Sequence, residues 1–477
     1  MPLPDLVEIV PLDKPVGAEI TVPGSKSITN RALVLAALAD GETILQGALW
    51  SEDTQIMVEC LQELGFMVNV EVDPDEICNR TITVYGQAGK VPRGGTEENP
   101  LELFVGNAGT AARFLAALVC LGQGVYRLHG TARMHERPQA ALFNALRELG
   151  YRVESENGND KLPAKIWGGE STSSRRSRGN EAQTGEAEMN QSLLTSAATI
   201  QKGRSCTVSI EESSQFASGL MLCAPVGGWN VKVVGENAEE SPYVAMTSKL
   251  IEAFPKNGGT FQIEPDASSG SYVFGAMIMA PGWQGRWKIN DIGQVELFTD
   301  SDVTLLHRPN SGWQIDEAFP QKFILGFSGG KPTSRLHDIG DSIMTAIVLG
   351  AYLGKVELRF TDLGRLRVQE TERVKGLYVE LKKCGANVVE QGDMLIIQPS
   401  KLHGAEIETY NDHRMAMCFA ILGLKVPGIK IKNPACVKKT FPNFFQKLAG
   451  PPPKGLGATI LDAKTGRKLE MNELFAD

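Results

Sequence analysis

The chain has 477 residues, 42% hydrophobic and 22% charged, which is typical of a globular protein with about two to four domains. Its 48 basic and 56 acidic side chains give a net charge of −8, and the basic residues form only one short cluster. This distribution argues against general nucleic-acid binding. No apolar run reaches the roughly 18 residues of a membrane span, so we expect neither nucleic acid nor membrane as a partner.

The N-terminus and the cysteines predict a cytoplasmic protein. Residues 1–5 contain neither the basic start of a signal peptide nor an arginine-rich transit sequence. The eight cysteines are widely scattered without a C-x-x-C pair, and the six histidines lack metal-ligand spacing. We therefore expect reduced thiols and no metal. We also expect a protein that needs no organic cofactor and acts as a monomer.

The most informative segment comprises residues 23–31, PGSKSITNR. It lies between a strand-like alternating run, residues 17–22, and an apolar helical run, residues 32–39. Two serines, a lysine and unpaired N–H groups at a helix start suit a phosphate or a carboxylate. An ordinary helix cap has a similar composition, so that alternative stays open. The segment is not a Walker A loop, which disfavours a nucleotide kinase.

An internal repeat organises the chain. Three units, beginning at Gly41, Gly124 and Gly354, each predict a strand, a polar turn, a helix ending at a glycine, and a second strand. A weaker copy ends near Gly258. This alternation indicates an α/β fold. The polar turns precede equivalent helices, so their charged residues can converge if the units pack around one axis.

Other segments are harder to interpret. Residues 170–192 are polar and of low complexity, which is typical of a disordered surface insertion. Residues 291–330 show no readable pattern. Residues 106–113 place two glycines before a helix, where backbone N–H groups can approach a ligand. Residues 410–414 precede an apolar helix, and Asp412 there has the position of a cap.

Eight motifs occur in an order that resembles one enzyme family. They are PGSKS…NR (23–31), GNAGTA (106–111), RMHERP (133–138), SSQF (213–216), DASS (266–269), ETER (370–373), YNDHRMAM (410–417) and KTFP (439–442). Over about residues 16–445 the chain therefore resembles the 5-enolpyruvylshikimate-3-phosphate synthase family.

The resemblance implies a fold and a reaction. Members have two similar domains, each of three βαβαββ units, with the active site in the cleft between them. Residues 25–263 would form one domain, and residues 1–24 with 264–477 the other. The family joins the 5-hydroxyl of shikimate 3-phosphate to C2 of phosphoenolpyruvate and releases phosphate, so these two small molecules are the expected partners.

The charge of these substrates demands clustered cations. Two phosphates and two carboxylates bring about −5 to −6 into one cleft, and an acidic protein can bind them only by concentrating its basic side chains. The motifs carry six: Lys26, Arg31, Arg137, Arg373, Arg414 and Lys439.

The resemblance also implies a role for each site residue. The shikimate moiety would be bound by Ser27, Arg31, Ser213, Ser214, Ser241 and Tyr243. Phosphoenolpyruvate would be bound by Lys26, Gly109, Arg137, Gln215, Arg373, Arg414 and Lys439. Asp341 would take the hydroxyl proton, and Glu370 or Lys26 would move the proton at C3. A purely structural pairing of Glu370 with Arg373, three residues on, stays open.

The chain departs from the family pattern at three places. Gln369 stands where relatives usually place a lysine that helps bind the shikimate moiety. Phe114 stands where proline is common, and the chain is one residue short near Ser241. Gly109 is retained, so we expect glyphosate to fit the phosphoenolpyruvate pocket.

Two alternative functions remain. UDP-N-acetylglucosamine enolpyruvyl transferases share the fold, but they carry Gly-Ala-Lys-Asn in the first motif and a loop cysteine. Here the first motif reads Gly-Ser-Lys-Ser, and residues 130–138 hold no cysteine. A non-catalytic binding scaffold is the second alternative, motivated by Gln369 and the insertions. The persistence of both candidate carboxylates and all six motif cations argues against it.

Overall fold

The computed structural model describes residues 3–169, 204–235, 241–289, 295–329 and 331–476. The polar segment 170–192 lies outside these ranges. Within them, no helix combines the length and apolar character needed to cross a bilayer. All eight cysteines are buried and free of disulfide bonds.

Strands and helices alternate along the described chain. The strands are β1 Leu6–Ile9, β2 Gly17–Ile20, β3 Asp40–Leu49, β4 Met67–Val72, β5 Asn79–Gln87, β6 Leu101–Phe104, β7 Gly124–His129, β8 Arg152–Ser155, β9 Ala164–Gly168, β10 Arg204–Ser209, β11 Trp229–Val234, β12 Gly259–Gln262, β13 Arg286–Ile289, β14 Val295–Phe298, β15 Asp302–Leu305, β16 Thr333–Ser334, β17 Leu358–Thr361, β18 Asn387–Gln391, β19 Met394–Gln398, β20 Glu406–Ile407, β21 Ile429–Lys432 and β22 Ile460–Asp462. The α-helices are α1 Lys26–Leu38, α2 Glu52–Glu63, α3 Gly109–Leu118, α4 Ala132–Glu136, α5 Ala140–Glu148, α6 Ser214–Gly227, α7 Pro242–Ala253, α8 Ala267–Met279, α9 Phe319–Gly329, α10 Ile343–Leu353, α11 Arg373–Lys383, α12 His413–Gly423 and α13 Phe444–Ala449. Short 3₁₀ helices span Val119–Leu121, Ile315–Ala318, Gly364–Val368, Pro434–Lys439 and Met471–Glu473.

Three four-stranded sheets share one topology, which confirms the predicted repeat. Their strand orders are β12-β3-β5-β4, β6-β7-β9-β8 and β16-β17-β19-β18. In each sheet the first pair is parallel and the other two pairs are antiparallel. Helices α2, α5 and α11 each end before a glycine with positive φ, namely Gly65, Gly150 and Gly385. Glycine adopts this left-handed conformation without steric cost, so these positions stop the helices.

The buried apolar side chains form two separate clusters. One contains residues between 28 and 263, and we call the body around it the first domain. The other contains residues 3–22 and 272–476, and we call its body the second domain. Two extended segments connect them and bond to each other, because Ser25 N donates to Glu264 O (2.8 Å) and Asp266 N donates to Pro23 O (2.8 Å).

A buried ion pair also joins the domains. Glu76, 4% exposed, lies in the turn between β4 and β5. It accepts hydrogen bonds from Lys447 Nζ and Asn443 Nδ2, both at 2.7 Å. The contact links the turn between β4 and β5 of the first domain to the start of helix α13 of the second domain.

Candidate active site

Charged and hydroxyl-bearing side chains from both domains line one cavity between them. From the sequence-predicted set the cavity includes Lys26, Ser27, Arg31, Arg137, Ser213, Ser214, Gln215, Tyr243, Asp341, Gln369, Glu370, Arg373 and Arg414. Gly109, Ser241 and Lys439 lie outside the immediate lining. The Nζ of Lys439 is nevertheless 3.4 Å from Glu370 Oε1. Residues separated by more than 400 positions thus meet at one place.

Helix α1 begins at Lys26, six residues earlier than the apolar run suggests. Ser25 occupies the N-cap position, but its side chain makes no capping hydrogen bond. Its hydroxyl is buried without a hydrogen-bond partner among the described residues, and Ser25 lines the cavity. The ordinary-cap interpretation is therefore not supported at this position, and the hydroxyl is left for a ligand.

The first turns of α1 present two cations. Lys26 Nζ lies 2.9 Å from Asp53 Oδ2. Arg31 is buried and donates to Ser27 O (2.8 Å), Thr247 Oγ1 (2.8 Å) and Ser218 Oγ (2.9 Å). Burial lowers the pKa of Arg31 to about 10, so it is charged at neutral pH. These bonds hold its guanidinium in one orientation.

The start of α3 brings a glycine against two arginines. A Cβ added at Gly109 would lie 2.5 Å from Arg113 Nη1 and 2.6 Å from Arg137 Nη2. Arg137 Nη1 donates to Asn107 O (3.1 Å), and Lys439 Nζ donates to the same carbonyl (3.3 Å). The glycine turn therefore gathers cations from both domains around its backbone.

Hydroxyl groups of the first domain line another wall. Ser213 caps α6 by accepting a hydrogen bond from Gln215 N (3.2 Å). Gln215 Nε2 donates to Thr110 Oγ1 (3.2 Å), which ties α6 to α3. Ser241 is the N-cap of α7, and its buried hydroxyl has no hydrogen-bond partner among the described residues. Burial and the nearby Asp341 raise the pKa of Tyr243, so its phenol stays protonated.

Asp341 faces three arginines. Its carboxylate lies 2.6 Å from Arg335 Nη2, 3.5 Å from Arg414 Nη2 and 3.8 Å from Arg373 Nη1. Burial by itself raises the pKa of Asp341, but the three arginines outweigh it and hold the pKa below its usual range. Asp341 is therefore an ionised acceptor, able to take a proton.

Glu370 lies where cations of both domains meet. It is 2.9 Å from Arg373 Nη2 and 3.4 Å from Lys439 Nζ. Burial raises its pKa, but Arg373, Lys439, Arg137 and Lys26 outweigh burial and hold that pKa well below its usual value. The predicted pairing with Arg373 is thus present, but Glu370 also contacts a distant cation that a simple helix pair would not involve.

Two further arginines are fixed by Asp412 and its helix. Arg373 Nε lies 2.7 Å from the buried Asp412, which also caps α12 by accepting from Arg414 N (2.9 Å). Arg414 Nη2 donates to Ser268 Oγ (3.1 Å). Arg373 Nη1 donates to the side-chain oxygen of Gln369. Asp412 therefore acts as the predicted cap and also orients Arg373.

Sequence reasoning missed several residues that line the cavity or contact its lining. Asp53 lies in the first turn of α2, where an acidic residue looks like ordinary helix-dipole compensation. Arg335 and Arg365 stand outside the recognised motifs, yet both line the cavity. His413 lines it too, and burial, with nearby Lys26 and Arg414, holds its pKa well below the usual value. Only three-dimensional proximity identifies Asp53, Arg335 and Arg365, whereas His413 lies within the recognised motif of residues 410–417.

Sequence comparisons identify the family to which the chain belongs. The family model for EPSP synthase (3-phosphoshikimate 1-carboxyvinyltransferase) matches residues 11–177 and 255–448. A 3-phosphoshikimate 1-carboxyvinyltransferase from Opitutus terrae is 36% identical over 485 aligned residues, covering 94% of this chain and 98% of that protein. One from Trichormus variabilis is 32% identical over 465 residues, covering 93% and 98%.

Solved structures show the same two-domain fold. An EPSP synthase from Acinetobacter baumannii superposes with a TM-score of 0.62 at 20% identity, covering 95% of this chain and 99% of that one. The enolpyruvyl transferase NikO from Streptomyces tendae gives 0.58 at 15% identity, covering 96% and 99%. The fold thus agrees with the sequence matches, and the chain belongs to the EPSP synthase (3-phosphoshikimate 1-carboxyvinyltransferase) family.

Proposed function

We propose that this protein transfers the enolpyruvyl group of phosphoenolpyruvate to the 5-hydroxyl of shikimate 3-phosphate and releases phosphate, a step of chorismate and aromatic amino acid biosynthesis. The observation that carries the proposal is the excess of positive charge around two buried carboxylates in the cavity. Among the described residues, eight cationic side chains and five carboxylates line the cavity, and the Nζ of Lys439 adds a ninth cation 3.4 Å from Glu370. Such an excess requires anionic ligands, and the two substrates bring about −5 to −6.

Phosphoenolpyruvate binds at the Glu370 side of the cavity in this proposal. Arg373 and Arg414 grip its carboxylate, because guanidinium groups match carboxylates as planar forks. Its phosphate lies among Lys26, Arg137, Gln215 and Lys439, next to the Gly109 backbone. The convergence of Arg137 and Lys439 on Asn107 O supports this placement.

Shikimate 3-phosphate occupies the opposite wall. Arg31 and Ser27 take its carboxylate and ring hydroxyls, while the hydroxyls of Ser213, Ser214, Ser241 and Tyr243 bind its phosphate. Gln369 contributes a neutral amide beside them. The unpartnered hydroxyl of Ser241 supports this assignment, since a buried hydroxyl without a partner is costly unless a ligand satisfies it.

The chemistry then needs two proton transfers. Asp341 removes the proton of the 5-hydroxyl as its oxygen bonds to C2 of phosphoenolpyruvate, and the C2–C3 double bond takes a proton from Glu370 at C3. In the second step the Glu370 carboxylate takes a proton back from C3, the C2–C3 double bond re-forms, and phosphate leaves C2 with the C–O bonding electrons. Lys26, 2.9 Å from Asp53, is the alternative donor.

Glu370 must gain a proton before it can donate one. Its pKa is depressed in the free protein because four cations surround it. Bound phosphate and carboxylate groups offset those cations, so binding raises the pKa of Glu370 towards the working pH. Proton uptake on substrate binding is the expected signature, measurable by calorimetry in buffers of different ionisation enthalpy.

A phosphate-release assay tests the proposal. With both substrates we expect steady turnover, and Glu370→Gln should lower it by about 10²- to 10⁴-fold while shikimate 3-phosphate still binds. UDP-N-acetylglucosamine as acceptor should give no phosphate; no cysteine lines the described part of the cavity to serve as that chemistry's acid. Binding of shikimate 3-phosphate without any turnover would instead support a scaffold.

We further propose that the protein works as a cytoplasmic monomer without a cofactor. The eight free, buried cysteines support a reducing compartment, since disulfides are rare there. Sedimentation of the purified chain, with and without substrates, tests the monomer.

A further inference from the structure

Two arginines in the cavity belong to none of the recognised motifs. Arg335 directly follows β16, and Arg365 lies in the 3₁₀ helix Gly364–Val368. Both come from the second domain and line the same cavity as Ser213, Ser214 and Tyr243 of the first domain.

The positive charge of these two arginines is only partly balanced by the described residues. Arg335 pairs with Asp341, but that single carboxylate also faces Arg373 and Arg414. The described residues place no carboxylate within 4 Å of the Arg365 guanidinium. Burial and the like charge of Arg335 lower the pKa of Arg365. Arg335 is buried and Arg365 is half-buried, so a bound anion that contacts both guanidinium groups would stabilise them.

Two unused hydrogen-bonding groups lie in or next to the cavity lining. Arg335 Nε is buried without a hydrogen-bond partner among the described residues. The hydroxyl of Ser241 is equally unpartnered among them, and Ser241 directly precedes Pro242 and Tyr243 of the lining. Arg365 Nη2 donates across the cleft to Ile210 O (2.7 Å), three residues before the serine pair at the start of α6. Arg365 therefore faces the serines, and the N–H groups at the start of α6 point to the same side.

Position 369 does not supply this charge. Gln369 is neutral, and its side-chain oxygen accepts a hydrogen bond from Arg373. Arg365 stands four residues earlier, in the 3₁₀ helix that ends before Gln369, and both residues line the cavity. Arg365 therefore supplies a positive charge beside the serines that Gln369 does not.

We propose that Arg365, supported by Arg335, is the specificity-determining cation for the phosphate of shikimate 3-phosphate in this protein, replacing the charge absent at Gln369. The inference rests on the proposed function. The phosphate would accept from the Arg365 and Arg335 guanidinium groups on one side and from the serine hydroxyls on the other.

The test separates charge from structure. Arg365→Gln should raise the KM for shikimate 3-phosphate about 10- to 100-fold, the value of a lost charge-assisted hydrogen bond. The KM for phosphoenolpyruvate and kcat should stay within about threefold. Arg365→Lys should keep most of the affinity, because it keeps the charge. Arg367→Gln is the matched control: Arg367 lies in the same 3₁₀ helix, but it pairs with Asp393 outside the cavity lining.

A variant that moves the positive charge from position 365 to position 369 tests whether the charge itself binds the phosphate. The double variant Arg365→Asn/Gln369→Lys should recover most of the affinity that Arg365→Asn alone loses. Calorimetry with shikimate, which lacks the phosphate, should show equal affinity for wild type and Arg365→Gln.

Each remaining outcome overturns the inference. An unchanged KM for shikimate 3-phosphate in Arg365→Gln, an equal loss for shikimate itself, or an equal effect of Arg367→Gln would do so. Loss of the fold in Arg365→Gln, seen by circular dichroism, would assign Arg365 a structural role instead. Failure of the proposed function is distinguishable, because wild type would then release no phosphate at all.

Discussion

A single methyl group at Gly109 tests the placement of the phosphoenolpyruvate phosphate. In Gly109→Ala the new Cβ would lie 2.6 Å from Arg137 Nη2, so the guanidinium must retreat by about 0.8 Å to reach the 3.4 Å of ordinary contact. Arg113 must move by a similar distance, since its Nη1 lies 2.5 Å from the same Cβ. The shift removes Arg137 from hydrogen-bonding distance of a phosphate beside the α3 backbone.

The magnitude follows from that one contact. A charge-assisted hydrogen bond contributes about 1.5–3 kcal/mol, which corresponds to about a 10- to 150-fold rise in the KM for phosphoenolpyruvate. Gly109 has no positive φ, so alanine fits its backbone without strain. Removing a glycine also restricts the unfolded chain, and we expect stability to stay equal or rise by about 0.4–1 kcal/mol. Affinity should therefore fall without loss of folding.

Steady-state phosphate release measures this effect. We expect the KM for shikimate 3-phosphate to change little in Gly109→Ala, and inhibition by glyphosate to weaken strongly. Gly17→Ala is the matched control, because a Cβ at Gly17 would meet nothing within 4 Å. An unchanged KM for phosphoenolpyruvate in Gly109→Ala, or wild-type turnover that glyphosate does not inhibit, would refute the reasoning.

Three further predictions concern stability. Phe114→Leu removes the ring whose centroid lies 5.3 Å from Arg31 Cζ and leaves a buried void. We expect the free energy of urea unfolding to fall by about 2 kcal/mol and the KM for shikimate 3-phosphate to rise. Unchanged values of both would show that the contact between Phe114 and Arg31 contributes nothing. Asp341 has a depressed pKa, so its stabilisation is present above the unfolded-state pKa of about 4 and is lost as pH falls through the folded value. Chemical unfolding between pH 7 and 3 should therefore show a shallower pH dependence for Asp341→Asn than for wild type, and parallel curves would contradict this. Glu76→Gln leaves Lys447 without its buried carboxylate and should cost about 3 kcal/mol, whereas a cost below about 0.5 kcal/mol would show that the interdomain pair is dispensable.

The sequence predicted those features that depend on neighbouring residues. The repeat of strand, polar turn, helix and glycine was readable because periodicity and glycine stops are local signals, and Gly65, Gly150 and Gly385 end helices as expected. The motifs identified the family and the cations of the cleft. Apolar periodicity marks only the part of α1 from residue 32 onwards, because Lys26 and its polar neighbours at the start of the helix carry none.

Tertiary structure alone decided which charged groups meet. Asp53 looks like a helix-start acid in the sequence, yet it lies 2.9 Å from Lys26 and 3.9 Å from Lys439. Arg335 and Arg365 carry no motif, and only the approach of the two domains places them opposite the serines of α6. Local sequence patterns report on burial and backbone conformation, whereas the pKa of a carboxylate or the free charge of an arginine depends on residues hundreds of positions away that folding brings within a few ångströms.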